Sequence, residues 1–133
     1  MKANILVKGK RHSIYTLSEK GKSEVEELLV GEHADPIKRS AALGFLAKLE
    51  HIADAGIWTL HVEWADCWNE SNPEGKFCEL KNGDYRISYF VHGRRILLAT
   101  YFVKQSMKES REYARAIRLN DRFAESPNWD ESE

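Results

Sequence analysis

Arg86 stands in a run in which Tyr85, Ile87, Tyr89 and Val91 alternate with Arg86, Ser88, Phe90 and His92, the pattern of the two faces of a β-strand. The first set suits a helix-covered core, so Arg86 emerges on the opposite face in mid-sheet. An unpaired guanidinium is costly there and calls for an anion. The sequence offers two, Glu79 on the preceding run and a phosphate of an RNA backbone, and does not choose between them. Further along, Arg111, Arg115, Arg118 and Arg122 recur at helical spacing as one stripe, after the connector lysines Lys104 and Lys108. Such a stripe is most often a solvated face, but beside Arg86 and Lys104 it would widen a phosphate-binding surface.

Charge follows the same division. The formal net charge is −1, yet residues 1–75 are net −3, residues 76–123 net +6 and residues 124–133 net −4. A patch of that sign attracts phosphates, with a strength that falls steeply with salt. Other chemistries find less support. His12, His33, His51, His61 and His92 show no paired spacing, and Cys67 and Cys78 stand eleven apart without a second pair, so neither a metal nor a cofactor is expected. There is no glycine-rich phosphate loop. Trp58, Trp64 and Trp68 crowd one stretch, either as a platform for stacked bases or as core, the commoner use of so much apolar area.

These residues need elements to hold them. Residues 4–8 and 13–17 flank Gly9-Lys10-Arg11-His12 as a hairpin or one irregular edge strand. Ser23 and Glu26 have capping-box spacing for a helix over 23–30. Asp35-Pro36 opens a second over 35–55, whose apolar face is Ala42, Phe45, Leu46, Leu49, Ile52 and Ala53 and whose stop is Gly56. Residues 57–68 alternate as a strand, and 69–75 (NESNPEG) read as a surface loop. Asn82-Gly83, read as the centre of a type I′ turn, and His92-Gly93-Arg94 separate strands over 77–80, 85–91 and 95–103. A helix from an N-cap at Ser110 to about Arg122 has Tyr113, Ala116 and Ile117 on its inner side. The fold class expected is α+β: a small antiparallel (mixed) sheet of about four strands, two N-terminal helices on one face and a C-terminal helix. Residues 1–123 form one domain and 124–133 an acidic, flexible tail. No apolar run approaches the roughly 20 residues that span a bilayer, and no signal-peptide core follows Met1, so the expected location is cytoplasmic and the cysteines are expected reduced.

The stretch FCELKNGDYRISYF…ILLATYFVKQSMKES…EYARAI resembles the RelE/HigB branch of the RelE/ParE toxin superfamily in its phage-derived form, over roughly Ile14 to Phe123. That form has two N-terminal helices, an E-L-R/K strand, a Y-R-I strand, a strand ending F-V-K-K and a last helix. The resemblance implies a toxin of a type II toxin–antitoxin system, an antitoxin partner with a helix-turn-helix domain, and metal-independent cleavage of mRNA on the ribosome. Arg86 matches the arginine of the Y-R pair and would stabilise phosphate charge. Lys104 matches the first basic residue of the strand-end pair, Lys81 a basic residue of the preceding strand or its turn, and Tyr113 the tyrosine opening the last helix, which would stack on a base or donate a hydrogen bond. Lys108, Arg111, Arg115, Arg118 and Arg122 would hold the RNA backbone. Gln105 departs from the pattern, which usually has a second Lys or Arg there, and a glutamine neither carries charge nor protonates a leaving alkoxide. The ParE branch, which blocks DNA gyrase without cutting RNA, and a degenerate module that only binds RNA or antitoxin remain as alternatives.

Overall fold

The structure, a computed structural model, describes residues 1–57, 65–68, 77–105 and 110–130, with backbone alone for 65–68 and 110. In chain order the elements are β1 (Lys2–Lys8), β2 (Ser13–Ser18), α1 (Glu24–Val30), α2 (Pro36–Ala55), β3 (Ala65–Trp68), β4 (Phe77–Asn82), β5 (Tyr85–His92), β6 (Arg95–Val103) and α3 (Ser110–Glu125). The fold is α+β. The strands form one mixed sheet in the order β1-β2-β6-β5-β4-β3, so the expected four strands become six: β1 pairs outside β2 as a hairpin, and β3 outside β4. β2 runs parallel to β6 and the other pairs are antiparallel. A parallel pair needs a long crossover, which α1, α2 and the strands after them supply.

Local chemistry explains the helices. Ser23 accepts the Glu26 amide at 3.1 Å and Asp35 accepts that of Ile37 at 2.9 Å, each satisfying a donor that a helix start leaves free. Pro36 sits where no amide hydrogen is missed. The buried faces of the two helices, Val25, Leu28 and Leu29 with Ala41, Phe45, Leu49, Ile52 and Ala53, pack on Ile14, Leu80, Ile87, Tyr89, Ile96 and Leu98 of the sheet.

The other face of the sheet is covered as well. Here α3 lays Tyr113, Ala116 and Ile117 on Phe77 and Phe102, and its Phe123 joins Ala3, Tyr15, Leu17, Leu97 and Ala99. The expectation of an open face around Arg86 is therefore corrected: the inner side of α3 needs an apolar surface, and this face supplies it. The tail expected to be flexible is also corrected as far as Asp130. Ala3 donates to Asn128 O at 2.9 Å and Asp130 donates to Ala3 O at 2.8 Å, while Trp129 packs edge-on to Tyr15 and Phe123.

Two features set the sheet's geometry where it matters. Asn82 pairs with Tyr85 and His92 with Arg95, so the hairpin turns centre on Gly83-Asp84 and Gly93-Arg94, not on Asn82-Gly83. Positive φ falls on the first central residue of each turn (61° at Gly83, 64° at Gly93), the type II′ pattern, which glycine adopts without the Cβ clash of other residues. Between Ile87 and Tyr89 the β5–β6 register slips, and the Ser88 hydroxyl fills the gap by accepting the Thr100 amide at 2.9 Å and meeting Thr100 Oγ1 at 2.8 Å. The cysteines are a further correction. Cys78 is disulfide-bonded, and the one other cysteine, Cys67, is its register partner across the β3–β4 ladder. Composition argued for reduced thiols; strand register, a long-range property, decides otherwise.

Candidate nucleic-acid interface

Three of the expected site residues meet at one end of the sheet. Lys81 and Arg86 are directly opposed on β4 and β5, so their side chains leave the sheet on the same face. Lys104 stands one residue beyond β6, its amide donating to Asp84 O at 2.7 Å in the β4–β5 turn. Lys48, on α2, braces the same corner from the other side by donating to Lys81 O at 2.9 Å and Asn82 Oδ1 at 2.7 Å. Partial burial lowers the Lys48 pKa from the usual lysine range. The sequence carried no sign of that contact, because Lys48 lies on a helix flank that periodicity alone assigns to solvent.

Arg86 is 8% exposed and Glu79 1%. The guanidinium Nη1 donates to Gly83 O at 2.6 Å and Tyr85 O at 3.0 Å, and Nε lies 3.5 Å from Glu79 Oε1. Of the two partners the sequence offered, the internal carboxylate is present. Arg86 thereby ties the β4–β5 turn to its own strand and offsets the charge of a carboxylate whose burial without a partner would be costly. Nη2 makes no hydrogen bond among the described residues and is the nitrogen left for an outside anion.

Tyr113 does not join this group in the expected way. It is 5% exposed, stacked on Phe77 with centroids 4.3 Å apart and edge-on to Phe102 at 6.1 Å, so it holds α3 to the sheet. The arginine stripe splits. Arg115 forks onto Glu24 at 2.6 and 3.1 Å and meets Glu112 at 3.1 Å. Those carboxylates, Glu24 above all, raise its pKa, so it stays charged and engaged at any ordinary pH. Glu24, a residue the sequence reading passed over, also accepts the Tyr101 amide at 3.1 Å and so joins α1, β6 and α3. Arg122 lies 3.8 Å from Glu19, with both side chains well exposed. Arg111 and Arg118 are exposed and, like the Lys104 ammonium, form no ion pair among the described residues.

Lys108 lies outside the described residues, as do Trp58, Trp64, His61 and the 69–75 loop; of Trp68 and Cys67 only the backbone is described. Among the described residues no group of three His, Cys, Asp or Glu side chains is placed to hold a metal ion, and no helix is long and apolar enough to cross a membrane. The corner thus gathers Lys81, Arg86 and Lys104 at one turn, a concentration of positive charge of the kind that attracts phosphate. Comparisons of the chain with protein-family models, with curated proteins and with solved structures found no match.

Proposed function

We propose that the chain is a toxin of the RelE/HigB type that acts in the cytoplasm on ribosome-bound mRNA and is held inactive by an antitoxin with a helix-turn-helix domain. The observation that carries this reading is the corner itself. The E-L-K, Y-R-I and F-V-K segments lie on adjacent strands, and Lys81, Arg86 and Lys104 stand in the backbone around one turn. Cleavage would proceed by attack of a ribose 2′-hydroxyl on the adjacent phosphorus, its proton passing to water, while the bond to the 5′-oxygen breaks and a 2′,3′-cyclic phosphate is left. Lys81, Lys104 and Arg86 Nη2 would stabilise the charge on the phosphoryl oxygens, and a lysine ammonium would protonate the departing 5′-oxygen.

A second reading, RNA or antitoxin binding without cleavage, is favoured by the Arg86–Glu79 pair and by Gln105. Much of the guanidinium's charge is already matched inside the protein, and Gln105 adds none.

Induced expression decides between them. Growth arrest with new mRNA 5′ ends by primer extension, both lost in Arg86→Ala, is the expected result. Because Arg86→Ala strands Glu79 in the core, the paired variant Arg86→Met with Glu79→Gln, which removes both charges, controls for unfolding. A folded paired variant that remains fully toxic removes Arg86 from the mechanism. Intact transcripts alongside DNA damage would move the assignment to gyrase.

A further inference from the structure

At the opposite end of the sheet two turns are locked into one basic cleft. The β1–β2 connection, Gly9–His12, is pinned to the end of α2 by Arg11 and His12 amides that donate to Ala53 O at 2.8 and 3.0 Å and by the Lys10 amide on Asp54 Oδ1 at 3.1 Å. Gly9 lies so close to Ala53 that a Cβ there would collide with its backbone. The Gly93-Arg94 turn is bound to the first by Ser13 N to Arg94 O at 3.1 Å, by His12 Nδ1 to the same oxygen at 3.3 Å, and by Arg94 Nη2 to Lys10 O at 2.8 Å. The buried His12 accepts the Ile57 amide on Nε2 at 3.2 Å and braces the floor. The result is a cleft of about 390 Å³ lined by Lys10, Arg11, His12, Gly93 and Arg94.

Its charge is uncommitted. Lys10, Arg11 and Arg94 are all exposed, and none forms an ion pair among the described residues. Among the described residues the carboxylate bound to this framework is that of Asp54, which accepts a backbone amide. Arg86, Arg115 and Arg122 each face a glutamate, whereas these three cations have no carboxylate within ion-pair distance among the described residues.

We propose that this cleft binds the phosphates of a nucleic-acid backbone, as a contact separate from the Lys81–Arg86–Lys104 corner. The seven residues between Arg86 and Arg94 place the two on the order of 20 Å apart. Arg94 is oriented by its bond to Lys10 O and keeps further N–H groups for a phosphate, and Lys10 and Arg11 add charge without needing to be uncovered. A peptide partner would need apolar side-chain anchors, and no apolar side chain stands among the described residues that line the cleft, whereas sequence-independent backbone binding rests on Lys and Arg alone.

The test is fluorescence anisotropy of a short, labelled single-stranded RNA against salt, from about 50 to 200 mM, with the intact protein and with Lys10→Gln/Arg11→Gln. Neither side chain supports the fold through any contact among the described residues, so the thermal midpoint should stay unchanged. Affinity at low salt should fall, and the slope of log K against log salt should shrink by about 0.7 for each charge removed. An unchanged slope overturns the site, as does a wild-type protein whose RNA binding shows no salt dependence. Polyglutamate bound as tightly as the RNA, and weakened equally by the variant, overturns it in favour of an acidic protein partner. Loss of RNA affinity with growth arrest retained upholds the site and separates it from the toxin reading, which falls on its own if no arrest occurs in the wild type.

Discussion

Arg86 and Glu79 face each other at a depth where an unpaired charge is costly, and that decides how substitutions there must be read. Removing one partner of a buried pair typically costs about 3–5 kcal/mol, because the survivor stays desolvated without compensation. Glu79→Gln should therefore destabilise the protein by about 3 kcal/mol in chemical denaturation, and its cycle with Arg86→Met should return a coupling of about 2 kcal/mol. A coupling below about 0.5 kcal/mol would mean that the 3.5 Å approach carries no net energy. The pairing was half legible in the sequence. Period-2 alternation put Arg86 and Glu79 on neighbouring strands and on one face, but it could not say whether water or phosphate reached them. That depends on what lies over the face, which alternation does not encode.

What lies over it is α3, and the sequence held the clue unevenly. The spacing of Tyr113, Ala116 and Ile117 marked an inner side, and an inner side has to pack on something. With α1 and α2 on one face of the sheet, only the other was left. An inner side on that face buries Tyr113 and narrows the access to Arg86. The arginine stripe failed for a different reason. Periodicity aligned four arginines but could not show that Glu24, some ninety residues earlier, would meet Arg115. Charge segregated along the chain is thus partly recombined in space. Since Arg115 and Glu24 are each more than a third exposed, screening limits their worth, and a double-mutant cycle of Arg115→Ala with Glu24→Gln should give about 0.5–1 kcal/mol, shrinking as salt rises. If Arg115 is committed to α1, Arg115→Ala should leave the salt slope of RNA binding unchanged; a slope reduced as much as for Lys10→Gln would put it on the RNA after all.

Across the whole molecule, the elements that were hardest to foresee are those that complete the sheet and join its ends. β1 was legible as a run of apolar residues but not as a full strand, because its outer edge gains a partner only when Asn128–Asp130 arrive from the far end of the chain. Acidic composition made that segment read as a tail, yet a single tryptophan outweighs the surrounding charge. Trp129 meets Tyr15 at 4.8 Å, Phe123 at 4.9 Å and His92 at 5.4 Å, and Arg95 lies 5.2 Å from its ring centroid. His92, which meets Trp129, also ties β5 to α3, its Nε2 lying 2.7 Å from Asn120 Oδ1. Two ends of the chain, the last helix and the β5–β6 turn are thereby coupled through one side chain. Trp129→Ala should cost about 2 kcal/mol, less than for a fully buried tryptophan because the ring keeps some solvent contact. Hydrogen exchange should localise the effect. The Ala3 and Asp130 amides, protected by each other's segment in the wild type, should exchange quickly in the variant, while those of β5 and β6 stay slow. Unchanged protection at Ala3 would show that β1 is held by β2 alone, and that the segment after α3 is a passenger on the sheet and not one of its supports.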